Sequence, residues 1–354
     1  MPARSLGHRL PVLGLSLALL TGCLTGCGSP KTAKAETQIF AMDTVMSLTL
    51  YGENESTLQD TLDGLVDTIY QLQNTLSVTD EASEISALNR QAGQPVALSS
   101  QTEELLSSAL DLCALTGGAL DLTTYPAVKA WGFTTGEYRV PGEAELTELA
   151  QHIDYTHLEL DSTAHTARLP QGMEADLGAV AKGYAGDLLV RQMEEAGVTS
   201  ALLDLGQSTI LAVGDKPDGS HWRIGIQDPA GESYLGVITL SGQAMGTSGG
   251  YQRYFEEDGV RYWHILDPDT AAPARSGVAS VTVVGEDGLV CDGLSTALFV
   301  LGVDDGIQLW RDHPELGVEV LFVLEDGSLV LTSGLENSFT LAEGQESREV
   351  TVIS

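Results

Sequence analysis

Basic residues are scarce: 17 Lys and Arg stand against 50 Asp and Glu in 354 residues, a formal net charge of −33. A surface of that sign repels phosphate backbones, so no nucleic acid is expected as a partner. An anionic nucleotide needs a local correction here, a bound metal ion or a nest of glycine amides. There is no Walker A sequence and no G-x-G-x-x-G fingerprint, which leaves two common nucleotide sites unsupported. The four cysteines show no zinc spacing with the seven histidines. No repeat of solenoid period and no low-complexity linker after residue 38 appears. What is present, 43% hydrophobic residues, 19% charged residues and 39 glycines, describes a folded, turn-rich chain.

The one marked apolar run, Leu10 to Leu20, follows Arg4, His8 and Arg9. It is about half the roughly 20 residues that a membrane-spanning helix needs, and its basic leader makes it an export signal. Leu20-Thr21-Gly22-Cys23 at its end resembles a bacterial lipobox, and Leu24-Thr25-Gly26-Cys27 repeats the pattern. Cys23 directly follows the apolar run and is the expected lipidation site; two or more acyl chains there give a stable anchor. Residues 1–22 are read as a lipoprotein signal peptide and 23–38 as a tether. This places the chain on the extracytoplasmic face of a bacterial cytoplasmic membrane. Cys113 and Cys291 are read as buried thiols, with a disulfide left open.

Beyond the tether, Ile39 to Tyr51 alternates like a strand. Leu58, Leu62, Leu65, Ile69, Leu72 and Leu76 recur at helical spacing. Ser99 or Ser100 caps a second helix through Cys113 that Gly117-Gly118 stops, and a third opens near Ala179. From Ala201 onward the runs are short and β-prone, with Asp258-Gly259 and Asp326-Gly327 as hairpin turns and a helix over Asp292 to Leu301. Strands in succession with helices between them predict an α+β architecture of mixed or antiparallel sheets and packed helices, over 39–340 with a tail at 341–354.

Four clusters carry possible chemistry. Gly246-Thr247-Ser248-Gly249-Gly250 fits the nucleophile pattern G-x-S-x-G but lacks a helix after it, so it is read as a tight turn facing a ligand. Asp176-Leu177-Gly178 stands before a predicted helix with Lys182 on its first turns; Asp176 is a cap or a ligand contact. Asp292 and Thr296, four apart on one helix face, offer hard oxygens suited to Mg²⁺, or simply cap the helix. His264 is expected on a strand before Asp267-Pro268.

In this order the clusters, with Ala41-Met42-Asp43-Thr44, Gly117 to Thr123 and Trp131-Gly132-Phe133, resemble the ApbE family of FAD:protein FMN transferases, over about Ile39 to Gly334. The resemblance implies a T-fold-like single domain. It implies Mg²⁺-dependent transfer of FMN from FAD to a Thr or Ser hydroxyl of an exported or membrane redox protein, through a phosphoester bond and with release of AMP. FAD contacts would come from Met42, Ala119, Leu120, Asp121, Asp176, Lys182 and Leu266, with Thr79 and Thr247 beside them. Ala179, through its carbonyl, Asp292 and Thr296 would hold the metal. His264 would be the general base, since an imidazole ordinarily titrates near physiological pH; Asp292 is the alternative. Asp43 stands where the family has glycine, and Thr79 where an aromatic residue often holds the flavin. Two other outcomes share this site: hydrolysis of FAD to FMN and AMP, and flavin binding without turnover.

Overall fold

A computed structural model describes residues 32–231 and 233–354; the signal sequence, Cys23, Cys27 and the first part of the tether lie outside them. The chain begins with β1 (Ala33–Ala41), β2 (Thr44–Gly52), α1 (Glu55–Leu76), α2 (Glu84–Arg90), β3 (Val96–Ala97) and α3 (Ser100–Leu115). Next come α4 (Tyr125–Ala130), α5 (Glu143–Ala150), β4 (Glu159–Asp161), β5 (Thr166–Arg168), α6 (Ala181–Glu195), β6 (Ser200–Leu205) and β7 (Thr209–Val213). Then follow β8 (Trp222–Gln227), β9 (Tyr234–Leu240), β10 (Ala244–Gly249), β11 (Tyr254–Glu257), β12 (Val260–Trp263), β13 (Leu266–Asp267) and β14 (Ala272–Pro273). The last are β15 (Val278–Gly285), α7 (Gly288–Asp312), β16 (Glu319–Leu324), β17 (Leu329–Thr332), β18 (Phe339–Leu341) and β19 (Val350–Ile353).

The frame is a nine-stranded sheet in the order β1-β2-β6-β7-β10-β15-β16-β17-β19. Its neighbours are antiparallel except for the β17–β19 pair. One face packs on the helices: Leu62, Leu65 and Ile69 of α1 and Leu189 of α6 meet Leu48, Leu203 and Val283. The other face packs on a three-stranded sheet, β18-β9-β8, through Ile238, Leu240, Met245 and Leu321. A smaller cluster of Trp131, Phe133, Leu266 and Ala271 joins α4 to the β13–β14 hairpin. The architecture is α+β, as the element pattern predicts.

The amphipathic stripe of α1 and the Ser99 cap, which accepts from Thr102 N–H at 3.3 Å, lie where the sequence puts them. Several boundaries do not. The strand expected from Ile39 to Tyr51 is a hairpin, because Met42 and Asp43 take φ of 47° and 60° and turn the chain. Residues 33–38, assigned to the tether, form the edge strand β1, and the tail holds β19, which completes the sheet. Asp287, not Asp292, caps α7 by accepting from Val290 N–H at 2.9 Å, so Asp292 lies in its second turn. The predicted end at Leu301 marks a break at Gly302, φ 79°, after which the helix resumes. Cys113 and Cys291 are free and buried.

Candidate functional site

Two glycines bring α6, α7 and β10 into backbone contact. A Cβ at Gly183 of α6 would lie 2.1 Å from the Gly288 carbonyl oxygen of α7. One at Gly246 of β10 would lie 2.5 Å from the carbonyl of Cys291. Gly246 is therefore part of a strand that approaches a helix closely, and the ligand-facing turn expected at 246–250 is in fact mostly strand β10. Asp187, one turn beyond Gly183, fixes the start of α7 by accepting from Gly288 N–H at 2.7 Å and Leu289 N–H at 2.9 Å.

Asp292 is buried at this junction. Its Oδ2 accepts from Gly183 N–H at 2.8 Å and its Oδ1 from the Thr209 hydroxyl at 2.7 Å. Burial pushes its carboxyl above the usual range, while the charge of Lys182, the Thr209 hydroxyl and Gly183 N–H pull the other way. Lys182 Nζ donates to Ser208 Oγ at 2.5 Å. One helical turn past Asp292, Thr296 Oγ1 lies 3.1 Å from Ser248 Oγ, which is also 2.8 Å from Ser295 Oγ. Asp292 and Thr296 thus share one face of α7, the first against α6 and β7 and the second against β10. A buried carboxylate with one lysine for compensation, next to a row of hydroxyls, is a donor set that fits a hard cation. Ala179 sits half-buried in the turn before α6.

His264 lies in the bend between β12 and β13, not on a strand. Its backbone N–H and its Nδ1 both face the Arg253 carbonyl, at 3.1 and 3.2 Å. A carbonyl only accepts, so Nδ1 carries the proton and Nε2 keeps its lone pair. Burial, then the charges of Arg253 and Lys182, lower the imidazole to about 4. It is neutral at physiological pH for that reason, and not because it titrates there. Asp176 does not cap α6, whose first residue is Ala181; its Oδ1 accepts from Gly178 N–H at 2.8 Å. Burial raises its carboxyl, opposed by that hydrogen bond and by the Arg253 charge.

The remaining predicted residues divide. Met42 forms the β1–β2 turn, its N–H donating to Gln73 Oε1 at 2.7 Å. Leu120 is buried against Gly293, next to Asp292, with Ala119 half-buried before it. Thr79 is exposed beyond α1, its hydroxyl 3.2 Å from Ser77 Oγ. Leu266 packs in the cluster around Trp131. The Asp121 carboxylate turns inward: Oδ1 accepts from Thr123 N–H and hydroxyl at 2.7 and 2.6 Å, and Oδ2 from Tyr155 N–H at 2.8 Å. Thr247 faces the opposite side of the sheet from Gly246 and Ser248, its hydroxyl 3.0 Å from Thr282 Oγ1. Sequence reasoning gave no site role to Ser208, Thr209 or Arg253. The small polar pair Ser208-Thr209, after Gly206-Gln207, was the available signal. A cavity of about 610 Å³ between Trp263, Phe299 and Arg348 is lined by none of Asp176, Lys182, His264 and Asp292.

Fold and site define a class first: an α+β protein that gathers a buried carboxylate, a lysine and a neutral imidazole, a set suited to group transfer on an anionic substrate. The family follows. The model of the ApbE family matches residues 42–322, and the chain belongs to that family. It is similar to a Treponema pallidum (strain Nichols) protein named FAD:protein FMN transferase, 31% identical over 340 residues, or 91% of this chain and 93% of the other. A protein of Vibrio cholerae with the same name is 33% identical over 280 residues, 77% of this chain and 82% of the other. Among crystal structures, the ApbE protein of Thermotoga maritima aligns with a TM-score of 0.80 at 32% identity, covering 86% of this chain and 99% of that one. The flavinyl transferase ApbE of Pseudomonas stutzeri in its apo form aligns with a TM-score of 0.76 at 29% identity, covering 88% and 98%.

Proposed function

We propose that this chain transfers FMN from FAD to a Thr or Ser hydroxyl of an acceptor protein, with Mg²⁺ at Asp292, Thr296 and the Ala179 carbonyl. The observation that carries the reading is the buried Asp292 carboxylate, held between α6 and β7 with Lys182 and the Thr296–Ser248 hydroxyls near it. Held by those residues, Mg²⁺ would supply positive charge against the pyrophosphate and Lewis-acid polarisation of its phosphorus. Lys182 binds a phosphate oxygen, a local correction in a chain of net charge −33. The acceptor oxygen forms a bond to the FMN phosphorus, the bond to the bridging oxygen breaks, and AMP leaves with that electron pair. The hydroxyl proton passes to His264 Nε2, whose pKa the anionic substrate raises from its low value in the free protein. Asp292 is a poor base because its two oxygens already accept hydrogen bonds and serve the cation.

The lipobox supports attachment through Cys23 on the outer face of the cytoplasmic membrane, and an exported or membrane redox protein as the acceptor. The test is incubation with FAD, Mg²⁺ and an acceptor protein, read as AMP release and as flavin fluorescence that survives denaturation. Wild type should give both and Asp292→Ala neither, a loss of at least a hundredfold. Free FMN without covalent fluorescence would mean hydrolysis, and transfer that survives Asp292→Ala would refute the metal assignment.

A further inference from the structure

Asp43 combines a strained backbone with a placement that invites a role. It is the second residue of a two-residue hairpin turn whose members both have positive φ, a position that favours glycine. Strain of this kind, kept in a fold, points to a use for the side chain. The carboxylate forms an ion pair with Arg253, 210 residues away in the turn after β10. Both ends of the pair flank the site. Thr44, beside Asp43, packs on Gly206, so closely that a Cβ there would lie 2.4 Å from it; two residues on, Ser208 holds Lys182. Arg253 offers its carbonyl to His264, and its guanidinium charge reaches His264 and Asp176. The two side chains are 74% and 44% exposed, so the pair is weak and can be opened by a competing anion.

We propose that Arg253 binds an anionic oxygen of FAD, and that Asp43 holds its guanidinium in a releasable clasp across the site in the free enzyme. Substrate and Asp43 then compete for one cation. Lys182 and Arg253 are the two cations whose charge bears on His264, and a pyrophosphate offers oxygens to both. Asp43 lowers FAD affinity but keeps the guanidinium ordered beside the site, and it stands where the resemblance leads one to expect glycine. The inference rests on the FAD site proposed above.

The test is a double-mutant cycle on FAD affinity, followed by flavin fluorescence anisotropy with Mg²⁺ present and acceptor absent. Asp43→Asn should tighten Kd by about two- to fivefold, the range of an exposed ion pair. Arg253→Gln should weaken it by about tenfold or more. In the Arg253→Gln background, Asp43→Asn should change nothing. Asp43→Gly should match Asp43→Asn in affinity and equal or exceed wild type in thermal stability, since glycine relieves the turn. Weaker binding by Asp43→Asn would show that the pair merely shapes the turn, and tightening that persists without Arg253 would show general charge repulsion; either overturns the clasp. Wild type that binds no FAD would instead overturn the function on which it rests.

Discussion

At the scale of single residues, the imidazole of His264 makes one definable contribution to the response to acid. Its folded value of about 4 lies below the unfolded value of about 6.5. Between these values the unfolded chain holds the proton and the folded chain does not, so stability rises with pH through the window. The contribution is fully present above pH 6.5 and is lost as pH falls toward 4. After allowance for solvent near a half-buried ring it is on the order of 1–2 kcal/mol. In unfolding curves taken between pH 7 and 4, wild type should therefore lose more stability than His264→Gln, whatever their offset at pH 7. An equal or smaller loss for wild type would refute the low value. None of this was legible from the Trp263-His264-Ile265 segment, because the groups that lower the imidazole, Lys182 and Arg253, come from elsewhere in the chain. The shared face of Asp292 and Thr296 was legible, because residues four apart on a helix share a face wherever that helix begins. The orientations of Asp121 and Thr247 were not legible, since they depend on a loop to Tyr155 and on pairing with β15.

At the scale of elements, α1 was readable because it buries one stripe and leaves the rest in water. By contrast, α7 is buried on most sides, so its hydrophobic residues show little periodicity and its start at Gly288 escaped notice. β10 was misread for a related reason. Its glycines suggested a turn, whereas Gly246 is there because α7 leaves no room for a side chain. A methyl group at that position must push the strand from the helix that carries Asp292. Gly246→Ala should cost about 1–3 kcal/mol through overpacking. It should also lower transferase activity at least tenfold, since small displacements of reacting groups are costly. Thermal unfolding and AMP release measured on one preparation check both. Full activity in a stable Gly246→Ala protein would show that the junction yields without moving Asp292.

At the scale of the whole molecule, the C-terminus closes the fold instead of trailing from it. Arg348 donates through Nη2 to Asp228 Oδ2 at 2.5 Å, through Nη1 to the Gly327 carbonyl at 2.9 Å and through Nε to Gln345 Oε1 at 2.7 Å. One side chain thereby ties the β8–β9 turn, the β16–β17 turn and the approach to β19. The Asp228 side chain is 6% exposed, and removing its cation leaves a buried carboxylate uncompensated. Arg348→Met should therefore cost about 3 kcal/mol, the lower end for breaking such a pair. Adding Asp228→Asn should recover most of that loss, because asparagine keeps an oxygen for the Ala230 N–H, 3.0 Å away, without the charge. A chain ending at Leu341 should lose at least as much as Arg348→Met, since it also gives up the β17–β19 pairing. Denaturant midpoints for the four proteins decide the matter. If the truncated chain unfolded with wild type, the C-terminal residues would be the mere tail expected at 341–354, and the buried ion pair would contribute nothing.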